Sequence, residues 1–372
     1  MALTETSLRR EADGPRVVAL ATPIPTDPKP SYDASPEAYR RLRRAVIGAG
    51  LLERRYGYYL GRTLLSFGFV AGAVSLAFVL PSGLGWSVLA TLALGFAFAQ
   101  VAMIGHDSGH HAVFRRARAN WALGQLSFTL TLGLSFWYWR NRHNQHHTET
   151  NDEADDPDLA GGGLFTLSER EAASRHGWRR WVVRRQAYLF WPAVVLALSV
   201  FIRAEGWVYA LTRLRGGRRR VELALLALHA ALWAIPALSL GWGWLAVYLG
   251  GQVVAGAYLS MIIAPNHKGM PIWAAGQKLT FLERQVISTR NISPSPLTDF
   301  LFGGLNYQIE HHLFPTIPRA NMQRAREIVR PFCVRQGLPY DEVGAWTSYR
   351  MMFEAFDRCG RAASGATPRY AL

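Results

Sequence analysis

The sequence predicts an all-α integral membrane protein, with four transmembrane helices in two hairpins, further helices lying in the membrane interface, and a cytoplasmic helical cap that holds a metal centre. Three observations predict it. Four apolar runs are each long enough to cross a bilayer. The tight turns within the two pairs carry no charge, whereas the other connections are rich in arginine. Nine of the eleven histidines fall into four short clusters at or near the ends of those runs.

Residues 1–55, with Pro23, Pro25, Pro28 and Pro30, are expected to form a polar, partly disordered cytoplasmic N-terminal tail. Its start lacks the apolar core and small-residue cleavage site of a secretory signal. Residues 56–330 are expected to form the membrane domain, and residues 331–372 a cytoplasmic C-terminal tail. A span needs about 20 apolar residues at about 1.5 Å each. Residues 63–80 and 86–104 meet that need and are separated by Pro81-Ser82-Gly83-Leu84-Gly85. Residues 221–240 and 244–263 also meet it and join near Gly241-Trp242-Gly243. Residues 120–139 and 187–202 are nearly long enough but have basic residues at both ends, so they are expected to lie in the interface or to dip in and return. An amphipathic helix is expected near residues 320–329. The positive-inside rule places both uncharged turns outside, and both termini and all four histidine clusters in the cytoplasm. The expected location is a bacterial plasma membrane, in multi-pass form.

Half of the residues are hydrophobic, thirteen are tryptophan, and the formal charge is +15. The arginines gather beside apolar runs, in Arg115-Arg116, Arg179-Arg180, Arg184-Arg185 and Arg218-Arg219-Arg220. Placed there they orient the chain and meet anionic lipid headgroups. No recognition module accompanies the charge, which excludes a nucleic-acid partner. Only Cys333 and Cys359 are present, so neither a disulfide framework nor a thiolate metal site is supported.

The clusters read His106-Asp107-Ser108-Gly109-His110-His111, His143-Asn144-Gln145-His146-His147, Asn266-His267, and Gln308-Ile309-Glu310-His311-His312. Random placement of the histidines would give about 0.3 adjacent His-His pairs, and three are present. His106 and His110 are four apart, and so are His143 and His147, with His146 three residues after His143. On helices these spacings put the imidazoles of a cluster on one face, within reach of one metal or of two neighbouring ones. So many nitrogen ligands exceed the four-coordinate preference of one zinc ion, and two iron ions fit better.

The chain resembles the membrane fatty acid desaturases. The HxxxH box at His106 to His110, the HxxHH box at His143 to His147 and the QxxHH box at Gln308 to His312 carry the resemblance. The run Leu305-Asn306-Tyr307-Gln308-Ile309-Glu310-His311-His312-Leu313-Phe314-Pro315 looks like the front-end or acyl-lipid branch, and Thr150-Asn151 with Asp155-Asp156-Pro157-Asp158 is also similar to the family. The resemblance covers residues 56–329. It implies two non-haem iron ions held by His106, His110, His143, His146, His147, His311 and His312, with His267 as the ligand between the second and third boxes. Gln308 stands where other branches have histidine, so it is either a ligand or a hydrogen-bonding neighbour of one. His111, Asn266, Asp107 and Asn151 are further candidates for either role, and the acidic string from Glu149 to Asp158 is expected to orient imidazoles.

The activity implied is insertion of a cis double bond into a long-chain acyl-CoA or acyl-lipid, using dioxygen as co-substrate and two electrons. The diiron centre itself would be the catalytic group, with no separate acid or base. No haem-binding cytochrome domain with a His-Pro-Gly-Gly core precedes the first span, so electrons are expected from a separate ferredoxin or flavin-dependent reductase. Two other readings remain at this stage. A lipid hydroxylase or ketolase could use the same scaffold, and a non-enzymatic membrane metal-binding protein would bind metal without consuming oxygen. His229, inside the third span, is expected to hydrogen-bond between helices, and His176 to be solvated.

Overall fold

The computed structural model describes residues 32–79, 83–159 and 163–365. Residues 1–31 of the expected tail, with its four prolines, residues 80–82 of the first hairpin turn and residues 366–372 lie outside the described residues.

Helix α1 (Pro36–Gly48) starts where the Ser35 side chain accepts from the Ala38 amide and Pro36 supplies a preset φ. It buries Ala38, Leu42 and Val46, spaced four apart between exposed arginines, in a core shared with Leu51, Leu313 and Val329. Residues 36–48 of the expected N-terminal tail are therefore helical, because that apolar stripe has a partner to bury against.

Two apolar hairpins follow the predicted pairing. Helix α2 (Tyr56–Val79) packs on α3 (Leu84–Gly109), and α10 (Gly216–Leu240) on α11 (Trp242–His267). The hairpins join along α3 and α11. A Cβ on Gly95 would lie 2.4 Å from Val254, so only glycine lets the two backbones approach this closely.

Among the described residues, five helices are long and apolar enough to cross a membrane: Tyr56–Phe78, Leu84–Gly109, Gln186–Thr212, Gly216–Leu238 and Trp242–His267. Four correspond to the expected spans. The fifth is a continuous helix made of α8 (Gln186–Leu196), a π-helical turn at Ala197–Phe201 and α9 (Ile202–Thr212). The sequence run looked shorter because Arg203 interrupts it. In the fold the Arg203 guanidinium turns inward and donates to the Leu132, Leu198 and Ser199 carbonyls, which lets the helix continue through that position.

The stretch at 120–139 is not one continuous helix. Helix α4 (Ala117–Gly124) runs into a π-helical turn at Gln125–Thr131, the chain reverses, and α5 (Phe136–Thr148) runs back. At the ends of α3 and α11 sits a cap of shorter helices. It contains α6 (Glu169–Ser174), α7 (Gly177–Val183), α12 (Phe281–Ile287), α13 (Pro296–Leu301), α14 (Gln308–Leu313), α15 (Met322–Gln336) and α16 (Ala345–Ala362). Strands β1 (Asn291–Ile292) and β2 (Glu342–Val343) pair in parallel. The amphipathic helix expected at 320–329 is α15, whose far end passes the boundary drawn at 330. Beyond it, α16 buries Met352 and Phe356 against Phe190 and Ala264, so residues 331–362 are part of the body.

Candidate metal centre

Box one is the last turn of α3. His106 lies on the helix and His110 is its C-cap, so both rings leave the same side of the chain. At His111 the backbone turns to φ 58°, the left-handed region, which ends the helix and swings that ring away. Box two lies on α5, which runs against the end of α3 because Gly109 has no side chain; a Cβ there would sit 2.4 Å from the Trp139 ring. Trp139 stacks on His143 at 4.6 Å between centroids. His267 is the last residue of α11, and His311 and His312 lie on α14. Four chain segments, far apart in sequence, meet at one end of the apolar bundle.

The imidazoles form two groups. His106, His110, His143 and His311 have ligand atoms within 4.8 Å of one another, and so do His146, His267 and His312. In the first group the His143 Nε2 lies 2.9 Å from His110 Nε2 and 3.2 Å from His106 Nε2. His147 sits between the groups: its Nε2 is 3.2 Å from that of His143, and its ring stacks on His312 at 4.1 Å.

Three side chains aim these rings. His106 Nδ1 donates to Asp107 at 3.2 Å, and the other Asp107 oxygen accepts from Tyr59 at 3.0 Å and Arg319 at 2.8 Å. His146 Nδ1 is 3.0 Å from both oxygens of Asp156, which also accepts the Asn151 and Asp158 amides at 2.8 Å. His312 Nδ1 donates to Gln285 Oε1 at 2.9 Å, while Gln285 Nε2 donates to the His147 carbonyl. Each bond engages Nδ1 and leaves the Nε2 lone pair directed inward.

The electrostatics suit a cation. Burial, followed by the neighbouring imidazoles, pushes His110, His143, His147, His311 and His312 well below the ordinary histidine range. They are therefore neutral and available as ligands. His146 differs: burial alone would lower it, but the charge and hydrogen bond of Asp156 raise it above its usual value. Asp156, disfavoured by burial, is nevertheless lowered to about 2 by His146. The Nε2 atoms of His311 and His312 are buried and have no hydrogen-bond partner. Neutral rings crowded nitrogen to nitrogen, with inward-facing lone pairs unsatisfied, fit a pair of nitrogen-preferring cations.

The other candidates fall outside the two groups. His111 accepts from Trp121 Nε1 at 3.3 Å and faces Arg140. Asn151, at φ 56°, donates to the Pro271 carbonyl at 3.0 Å and so brackets the loop after α11. Gln308 Nε2 lies 2.9 Å from His267 Nε2, and its oxygen accepts from Asn266. His229 Nδ1 donates to the Leu130 carbonyl and its Nε2 accepts from Tyr248, as an interhelical bond. Sequence reasoning missed Tyr59, Arg319 and Gln285. None sits in a motif, and only folding brings them to the histidines.

A helical bundle of membrane-spanning character, closed at one end by a polyhistidine site able to hold metal, defines the class of membrane proteins with a candidate metal centre. The sequence pattern of the family described as "Fatty acid desaturase" matches residues 84–344, and the chain belongs to that family. It is a fatty acid desaturase, an oxidoreductase of lipid metabolism. It is 28% identical over 334 residues to the Delta(8)-fatty-acid desaturase of Euglena gracilis, covering 84% of this chain and 76% of that protein. It is 30% identical to Fatty acid desaturase 3 of Bos taurus, covering 87% and 72%. It is 27% identical to the Delta 8-(E)-sphingolipid desaturase of Kluyveromyces lactis, covering 89% and 60%.

Proposed function

We propose that the two histidine groups hold two iron ions and that the protein inserts a cis double bond into a long acyl chain carried by coenzyme A or a lipid. The observation that carries this reading is the presence of two adjacent groups of buried or half-buried imidazoles, with His147 between them. His106, His110, His143 and His311 would hold one iron, and His146, His267 and His312 the other. Gln308 is a hydrogen-bonding neighbour of His267. Bound there, two irons would supply the redox chemistry that couples dioxygen, two electrons and two protons to removal of two hydrogens from adjacent methylenes, both oxygen atoms leaving as water.

The protein's residues supply position. Asp107, Asp156 and Gln285 fix three rings by their Nδ1 atoms, and Trp139 forms an apolar wall over His143, with Phe128 against it at 4.5 Å. Methylenes of an acyl chain are chemically alike, so the bond position follows from which pair the apolar walls hold beside the metals. His143 and His147 are only partly buried, so solvent and a separate electron-carrying protein, a ferredoxin or flavin-dependent reductase, would reach the site along α5.

Four spans, with the site and both termini cytoplasmic, are the topology that this reading requires. Both ends of α11 and α10 are accounted for as a hairpin, and box two on α5 meets box one after a dip and return. An unpaired crossing by Gln186–Thr212 would put His267 on the opposite side from His110. Arg218, just beyond that helix, lies over Trp121, which donates to His111 beside box one. Gln186 at the helix start donates to the Phe356 carbonyl in the cap. These contacts support the reading that both ends lie on the site's side and that the helix does not cross.

The test is expression in a host with simple membrane lipids, beside His146→Ala and His311→Ala variants, with double bonds located by mass spectrometry. A new unsaturated acyl species that the variants lack is expected. A hydroxylated lipid without a new double bond would overturn the proposal.

A further inference from the structure

Several polar side chains inside the apolar bundle converge on the chain between Gln125 and Ser135. Glu222, two turns into α10 and fully buried, accepts from Gln125 Nε2 at 2.8 Å, Thr129 Oγ1 at 3.1 Å and Ser135 Oγ at 2.7 Å. All three donors belong to the segment that leads into α5. Two of them pass the bond on: Thr129 Oγ1 accepts the Phe136 amide at 3.1 Å, and Ser135 Oγ caps α5 by accepting the Tyr138 amide at 3.3 Å. From other helices, His229 donates to the Leu130 carbonyl, and Arg203 and Gln252 to the Leu132 carbonyl. Side chains thus satisfy the Leu130 and Leu132 carbonyls and the Thr129 and Ser135 hydroxyls, as irregular chain among apolar helices requires.

An ionisable group in such a place is costly and calls for a role. The chain it grips is the foundation of α5, whose His143, His146 and His147 enter both histidine groups and the space between them. From Phe136 to these residues is about 10–17 Å at 1.5 Å per residue. A tilt of about 5° at the start would displace the rings by about 1 Å, well beyond the roughly 0.2 Å tolerance of metal–ligand distances. We infer that Glu222 is a positioning residue for the second histidine box, acting through Ser135 and Thr129 on the first turn of α5. This rests on the reading of that box as metal ligands.

The experiment measures iron affinity by chelator competition on the folded, full-length chain in detergent, for the parent, Glu222→Ala, Glu222→Gln and Ser135→Ala. Glu222→Ala is expected to weaken iron binding about tenfold, as loss of ligand-orienting groups does, with Ser135→Ala shifted the same way. Glu222→Gln should recover most of it, because its amide oxygen still accepts from Ser135 and Thr129 and the Gln125 amide can turn to accept from its nitrogen. Folded Glu222→Ala with parental iron affinity overturns the role. If that variant does not fold, unchanged affinity in Ser135→Ala overturns it. A parent chain that binds no iron overturns the ligand reading and this role with it, whereas a loaded parent with unshifted variants overturns this role alone.

Discussion

Replacing Asp156 with alanine tests whether the carboxylate behind His146 tunes one metal position. The His146 Nδ1 lies 3.0 Å from both Asp156 oxygens, and no other hydrogen-bond partner is described for that ring. Losing such an acceptor behind a ligating imidazole typically weakens metal binding about 10–100-fold, or about 1.4–2.7 kcal/mol. Alanine also strips the acceptor from the buried Asn151 amide at 2.8 Å, at a cost of about 1–3 kcal/mol, and from the Asp158 amide, which solvent can reach. Asp156→Asn, which keeps one oxygen, separates the two effects. The group containing His106, His110, His143 and His311 does not include His146, so iron content should fall from two per chain towards one. Chelator competition followed by elemental analysis of the purified protein reads this directly. If Asp156→Ala binds two irons with parental affinity, the orienting role is wrong.

His111→Ala should keep parental iron content, since its ring faces Trp121 and Arg140; loss of one iron would show that the ring ligates. Arg319→Met should cost about 3–5 kcal/mol by leaving the Asp107 carboxylate buried without its cation, read as a lower midpoint of thermal unfolding; an unchanged midpoint would refute it. Gly109→Ala forces a methyl against Trp139 and should cost about 1–3 kcal/mol with reduced desaturation, measured by unfolding and product yield together. Cys333 and Cys359 are buried, so cysteines placed singly at Thr148, Arg213 and Gly243 report topology cleanly. An impermeant maleimide should label Gly243→Cys from outside, but Thr148→Cys and Arg213→Cys only after permeabilisation; labelling Arg213→Cys from outside would mean that Gln186–Thr212 crosses.

The histidine boxes were legible because their chemistry is local. Spacings of three and four residues place imidazoles on one helical face whatever the rest of the chain does, and apolar runs of span length declare themselves by composition. The sequence by itself determined the two hairpins, the ring clusters and the family. It left Gln186–Thr212 short, because Arg203 reads as a terminus until its guanidinium is seen turned onto the Leu132 carbonyl. It left residues 36–48 in a tail, because an amphipathic stripe shows an apolar face without showing what covers it. The division of the rings into two groups, and the parts played by Tyr59, Arg319, Gln285 and Glu222, were decided only by tertiary structure. Hydrogen bonds between residues far apart in the chain, such as that of the Arg319 amide to Tyr59 across 260 positions, leave no periodic trace in a sequence; they exist because packing brings the segments together, and burial leaves each polar atom no water to bond instead.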